Sequence, residues 1–252
     1  RATRGKTTSA ALRSKASGPF EPFQRDLPIP AVARPVRSSK KLEEYVFEMK
    51  PSNVEILPGY ETPILGYNGT FPGPTVKARR GREVQILQKN RSDRELNVHL
   101  HGGVTMPQYD GHPHDAIPAG DERLYKYPNV AHSATLWYHD HAHGETHLTL
   151  FAGLADPDDK HFDLPQGDYD VPLMITDRSF NKDGSFRYRF DLDRGFRGDT
   201  ILVNGAVAPR MKVERRLYRF RILNASNARP YNLKLGNGRT MLQIASDGGL
   251  LA

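Results

Sequence analysis

Residues 99–102 read HLHG and residues 136–142 read LWYHDHA, two His-x-His pairs in a chain of 252 residues with ten histidines in all. Both pairs lie in short apolar runs that read as strands. In a strand, residues i and i+2 point to one face. His99 and His101 therefore project together with Leu100 on the opposite face, and His139 and His141 project together with Asp140 turned away. If the two strands lie side by side, four imidazoles converge. Neutral imidazole donates a lone pair to copper, zinc, iron or nickel near physiological pH. Four that bound nothing would leave ring nitrogens without partners. The pairs read as a metal site, with copper and zinc equally compatible on spacing alone.

The surrounding sequence sets the frame. EYVFEM, TVKA, EVQILQKN, LNVHLHG, ERLYKYPNV and ATLWYHDHA are short β-rich runs separated by Gly, Pro or charged turns. That spacing predicts an all-β sandwich or barrel. The chain then repeats itself: YNGTFPGPTVKARRGREVQILQKNRS at 67–92 is matched by VNGAVAPRMKVERRLYRFRILNAS at 203–226. Asn68-Gly69 corresponds to Asn204-Gly205, and each copy runs to an Asn, Asn90 or Asn224. The repeat predicts two successive β domains of one type. The second copy's counterpart of the HLHG strand falls near YNLKL, 231–235, and has no histidine. The counterpart of the WYHDHA strand would fall beyond Ala252, so the second domain is expected to be incomplete.

These readings divide the chain into a basic, Pro-containing, poorly ordered lead (1–41), a first domain with both His pairs (44–155), a linker (156–169) and a truncated second domain (170–252). The formal net charge is +7, but residues 1–41 carry a net +8, so the body is close to neutral. Aromatic residues do not alternate with the basic ones in the lead, which argues against nucleic-acid binding. No apolar run reaches the length of a membrane span. Five Lys/Arg and no acid in residues 1–20 suggest export or organelle targeting, though an apolar signal core is missing. The chain has no cysteine, which excludes disulfides, thiolate metal sites and Cys nucleophiles within it.

Other candidates are weaker. His112, His114, His132, His143, His147 and His161 lack paired strand context, although His143 shares the alternation of His139 and His141. Asp110, in DGHP, could return toward the metal as a carboxylate or proton relay, or could be a turn aspartate before glycine. Trp137 and Tyr138 read as packing residues.

The two His motifs resemble the amino-terminal half of the multicopper oxidases, in particular the spore-coat laccase, bilirubin oxidase and phenoxazinone synthase group. YNGTFPGPT (67–75), DGHP (110–113), HGET (143–146), DVPLMITDR (170–178), ILVNG (201–205), YRFRILNASNAR (218–229) and SDGGLL (246–251) support the resemblance, which spans about residues 44–252. It implies tandem cupredoxin-like Greek-key β-barrels, the second incomplete. It also implies one-electron oxidation of phenols, aromatic amines or tetrapyrroles at a type 1 copper, coupled to reduction of dioxygen to water at a trinuclear copper cluster. By position, His99 would ligate the type 2 copper, and His101, His139 and His141 the type 3 pair. Asp110 matches an acidic position linked to proton supply. The third domain, with the other cluster ligands and the type 1 cysteine, is expected from elsewhere, in cis or in trans, and the chain alone is expected to be inactive. Gly153-Leu154-Ala155 runs into DPDDKHFD where the family continues into an apolar closing strand, so a strand of the first domain is expected to be missing. The alternative is a copper-binding cupredoxin module that docks a partner chain without turnover. A zinc hydrolase fits poorly, since helical periods are scarce and no cupin-type Glu follows the first pair.

Overall fold

The computed structural model describes residues 21–132, 134–141, 163–189, 191, 193–247 and 249–251, together with the backbone of 152–155. It is nearly all-β: β1 (Arg37–Ser38), β2 (Leu42–Val54), β3 (Thr62–Tyr67), β4 (Glu83–Asn90), β5 (His99–His101), β6 (Glu122–Tyr127), β7 (Thr135–His139), β8 (Ala152–Ala155), β9 (Asp170–Arg178), β10 (Thr200–Val203), β11 (Ala206–Val207), β12 (Arg219–Asn224), β13 (Ala245–Ser246) and β14 (Gly249–Leu250). Among the described residues the helical structure is two short 3-10 turns, Pro107–Tyr109 and Gly167–Tyr169. No helix there is long and apolar enough to cross a membrane.

The first unit packs a five-stranded sheet, β1-β2-β4-β6 with β3 on β2, against the three-stranded sheet β5-β7-β8. Alternation builds the core. β4 buries Val84, Ile86, Gln88 and Asn90 on one face. Tyr45, Phe47 and Met49 from β2, Tyr125 and Tyr127 from β6, and Leu100 and Tyr138 from the His strands complete the same cluster. Full burial of a side chain the size of Leu100 contributes about 2 kcal/mol, so each His strand is anchored by its inward residue.

The internal repeat is visible as repeated geometry. β2 and β4 pair in parallel with β3 antiparallel on β2; β9 and β12 pair in parallel with β10 antiparallel on β9. Asn68 and Asn204 both adopt positive φ (53° and 50°), as do Gly69 and Gly205, the backbone that Asn-Gly turns favour. Asn68 Oδ1 accepts from the Glu48 N–H at 2.8 Å, and Asn204 Oδ1 accepts from the Met174 N–H at 2.7 Å. Asn90 Oδ1 accepts from the Ser92 N–H, and Asn224 Oδ1 from the Ser226 N–H, both at 3.0 Å. The repeated asparagines thus perform the same backbone-capping work in each unit. Among the described residues the second unit has the sheet β11-β10-β9-β12 and the pair β13-β14, fewer strands than the first.

The units share an apolar seam of Ile56, Leu57 and Ile64 with Phe180 and Leu202. Arg221 of β12 donates twice to Asp170, both at 2.8 Å, and once to Thr135 Oγ1 at 2.8 Å, which ties the second sheet to the start of β7.

The structure corrects four expectations. Residues 21–41 are not a loose lead: Phe23 and Leu27 donate backbone hydrogen bonds to Ala208 and Arg210, Ala33 donates to Thr75, and Val36 donates to Glu44. Extended Pro-rich chain cannot build its own ladder, but its remaining N–H groups can pair with other strands. Residues 1–20 lie outside the described residues. YNLKL is not a strand; among the described residues no segment pairs with it. LNVHLHG is interrupted: Leu96 bridges Ile117 and His99–His101 form β5, but between them the Asn97 and Val98 N–H groups bond the side chains of Asp140 and Tyr125. TVKA forms no extended strand, and Thr75 bridges Val32. The Gly153-Leu154-Ala155 stretch lies in β8 on the free side of β7, and the segment after it, 156–162, lies outside the described residues.

Candidate metal centre

β5 and β7 are antiparallel neighbours in the register His99↔His139, Leu100↔Tyr138 and His101↔Trp137. Directly opposed residues share a face. This register therefore puts His99, His101, His139 and Trp137 on one side and Leu100 and Tyr138 in the core. The expected alternation holds. Ligand atoms of His99, His101 and His139 lie within 4.8 Å of one another. His141, two residues past the end of β7, brings its ring centroid to 5.3 Å from His99 and 5.6 Å from His139. All four imidazoles are gathered in one place.

Hydrogen bonds orient the rings. His99 Nδ1 is 2.7 Å from the Asp110 carbonyl oxygen, and His139 Nδ1 is 2.8 Å from the Asp140 carbonyl oxygen. A carbonyl only accepts, so both rings carry the proton on Nδ1 and turn the Nε2 lone pair outward. His101 is reversed: its Nε2 lies 3.2 Å from Asp247 Oδ2, which leaves Nδ1. His141 Nδ1 is buried with no hydrogen-bond partner among the described residues. A buried lone pair or N–H without a partner costs about 1–3 kcal/mol, and a metal would satisfy a lone pair there. The donor set is all imidazole, which suits copper, zinc or nickel over calcium or magnesium. On these observations the residues fit a metal.

Asp110 closes the 3-10 turn 107–109. It meets His99 chiefly through its carbonyl, with its carboxylate Oδ1 3.4 Å from His99 Nδ1. It is thus a turn residue whose carbonyl and carboxylate stand beside His99. His112 and His114 are exposed and pair with each other, ring centroids 5.5 Å apart. His132 is exposed. His143, His147 and His161 lie outside the described residues.

Sequence reasoning missed four supporting residues. Asn97, fully buried, donates through Nδ2 to the carbonyls of Gly111 (3.1 Å) and His112 (2.9 Å) and accepts at Oδ1 from the His141 N–H (2.7 Å). Asp140 Oδ1 in turn accepts from the Asn97 N–H at 2.8 Å. This Asn97–Asp140 clamp joins the two His segments and the DGHP loop. Trp137 stacks on His139 and His101, with centroids 4.3 and 4.7 Å away. Asp247 reaches His101 from the second unit. A polar residue two positions before HLH gives no signal in a single sequence, and partners 43 or 146 positions away give none either.

Burial pushes the His139 imidazole down from 6.5 to about 4, with the neighbouring imidazoles adding to the effect and the Asp140 carbonyl opposing it. His139 stays neutral in the fold while the unfolded chain takes up a proton as pH drops through 6.5. This group's contribution to stability is complete above pH 6.5 and disappears as pH falls toward 4, a loss of roughly 3 kcal/mol. Urea unfolding of the metal-free chain at pH 7 and pH 4.5 measures it. His139→Gln should flatten the pH dependence, and an unchanged dependence would assign it to other groups.

A β-sandwich that gathers four imidazoles beside one pair of strands offers a group of nitrogen donors that could hold a metal ion. Comparison with known proteins names its family. Residues 48–156 match the multicopper oxidase family. The laccase of Bacillus subtilis (strain 168) is 40% identical over 283 residues, covering 92% of this chain and 55% of that protein. The bilirubin oxidase of Albifimbria verrucaria is 33% identical, covering 91% of this chain and 44% of that protein. Among solved structures, a laccase-like multicopper oxidase CueO from Ochrobactrum sp. superposes with a TM-score of 0.81 at 31% identity, over 89% of this chain and 52% of that chain. A McoA multicopper oxidase variant from Aquifex aeolicus gives 0.79 at 34% identity, over 90% and 52%. The chain belongs to the multicopper oxidase family, with the cupredoxin fold of its structural neighbours. It spans about half the length of the curated relatives it matches.

Proposed function

We propose that His99, His101, His139 and His141 supply half of the ligands of a trinuclear copper cluster in a laccase-like oxidase. His99 would serve the type 2 copper and the other three the type 3 pair. The whole protein would couple one-electron oxidation of a phenol, aromatic amine or tetrapyrrole to reduction of dioxygen to water. The observation that carries this reading is the β5–β7 register, which gathers the imidazoles and orients two of them through backbone carbonyls.

Copper, when bound, supplies the one-electron redox chemistry. The chain's own residues hold and shield it. His99 and His139 present Nε2, the Asn97–Asp140 clamp sets the separation of the two His segments, and burial keeps His139 neutral at physiological pH. Asp110 would pass a proton toward the site, a role supported by its carboxylate 3.4 Å from His99 Nδ1. Because the chain has no cysteine, a thiolate-ligated type 1 copper cannot be built from it. That site and the remaining cluster ligands belong to a third cupredoxin domain outside these residues, in cis or in trans. The same absence favours a second reading for the 252-residue chain in isolation: a copper-binding module that docks a partner chain.

Trp137 provides the test, since it is the chain's single tryptophan and stacks on two of the imidazoles. Copper(II) titrated into the apo chain is expected to quench most of its emission, and His99→Ala with His139→Ala is expected to abolish the quenching. Zinc retention with no copper uptake would overturn the copper reading. In dioxygen-consumption assays with a phenol, the 252-residue chain should be inactive, while a preparation containing the remaining ligands should turn over. Turnover by a chain of proven mass 28.4 kDa would overturn the division of ligands.

A further inference from the structure

The SDGGLL stretch has no part in the cluster as proposed, yet it reaches the site. β13 and β14 pair in the register Ala245↔Leu250 and Ser246↔Gly249, so Asp247 opens the two-residue turn between them. The Leu251 N–H donates to the Ile244 carbonyl at 3.0 Å and extends the hairpin's pinning by one residue on each strand. At the tip, Asp247 Oδ2 stands 3.2 Å from His101 Nε2, a contact across 146 positions. His99 and His139 are oriented by carbonyls within the first unit. His101 instead rests on a side chain from the second unit.

We infer that Asp247 is a positioning residue: its carboxylate holds the His101 Nε2–H so that Nδ1 faces the metal, coupling the hairpin of the second unit to one ligand of the first. A carboxylate only accepts when ionised, so it selects the tautomer with the proton on Nε2. The partner on the far nitrogen of a metal-ligating imidazole sets its tautomer, ring angle and basicity, and its removal commonly lowers metal affinity 10–100-fold. The flat face of His101 is already fixed by Trp137, stacked at an interplanar angle of 27°. Stacking restrains the ring plane but leaves open the 180° flip about Cβ–Cγ, which returns the same plane with the ring edges exchanged. A hydrogen bond to one nitrogen removes that freedom. The contact is exposed, with Asp247 at 72% of its side-chain surface and His101 at 39%. Exposed pairs of this kind add little to stability, so the effect falls on ligand orientation and not on the fold.

The inference rests on the copper-site reading for its affinity arm only. In the metal-free chain, 15N spectra are expected to show His101 as the Nε2–H tautomer. Asp247→Ala should convert it to a mixture with an unchanged melting temperature. Asp247→Asn, whose amide oxygen still accepts, should restore the wild-type signature. With copper followed through Trp137, Asp247→Ala should weaken binding about tenfold or more, and should add nothing in a His101→Ala background. A tautomer that Asp247→Ala leaves unchanged overturns the inference, whatever copper does. Equal copper affinity of wild type and Asp247→Ala, with binding still dependent on His99 and His139, overturns it and leaves the copper reading standing. A chain that binds no copper at all defeats the copper reading alone, and the tautomer then decides the role of Asp247.

Discussion

Gly111→Ala is expected to destabilise the chain by about 3–5 kcal/mol and to strip the site of metal. Gly111 has φ of +69°, and a Cβ there would stand 2.2 Å from the Val98 carbonyl oxygen and 2.7 Å from the His99 backbone nitrogen. Those are rigid backbone atoms of the segment entering β5, so the strain cannot be relieved by a side-chain turn. The loop must move instead. It carries the Asp110 carbonyl that orients His99 and the two carbonyls that Asn97 holds. Gly120→Ala separates the two causes: φ there is +86° but no atom lies within 4 Å of the added Cβ. It should cost only about 1 kcal/mol, the ordinary penalty of an alanine in the left-handed region, with metal binding retained. Equal losses in the two variants would show that backbone conformation, and not contact with β5, explains Gly111.

Asn97→Ala comes next in size. It deletes two donated hydrogen bonds and one accepted bond in a fully buried position, leaving the Gly111 and His112 carbonyls and the His141 N–H unpaired. An unsatisfied buried group costs about 1–3 kcal/mol, and partial relaxation toward water brings the expected total to roughly 3–4 kcal/mol. The distinctive outcome is in the metal. His141 loses the hydrogen bond that places its backbone, while the β5–β7 ladder that holds His99, His101 and His139 stays paired. Metal analysis should therefore show reduced stoichiometry even at temperatures where circular dichroism reports a folded β protein. Full copper content in a folded Asn97→Ala variant would mean that His141 needs no such anchor, or is no ligand.

The apolar body of each His strand was legible because period-two alternation has one physical solution: Leu100 and Tyr138 go inward, and the flanking imidazoles go outward. The repeat was legible for a similar reason. Asn-Gly at positive φ and a capping Asn at a strand end are local chemistry, and local chemistry recurs wherever the same backbone recurs. Residues 21–41 and YNLKL were misjudged because their state depends on whether some distant strand lies alongside. The first segment finds Thr75, Ala208 and Arg210, and the second finds no strand partner among the described residues.

The all-β class, the two-fold repeat and the four candidate ligands could be read from the chain alone, since alternation and spacing are properties of neighbours along it. The folded arrangement was needed to show which nitrogen His99, His101 and His139 present, that Asn97 and Asp140 clamp the His segments, and that Trp137 and Asp247 support His101. Those outcomes depend on hydrogen bonds and stacking between residues brought together by strand register. Register is set by the packing of the whole core, which no local stretch encodes.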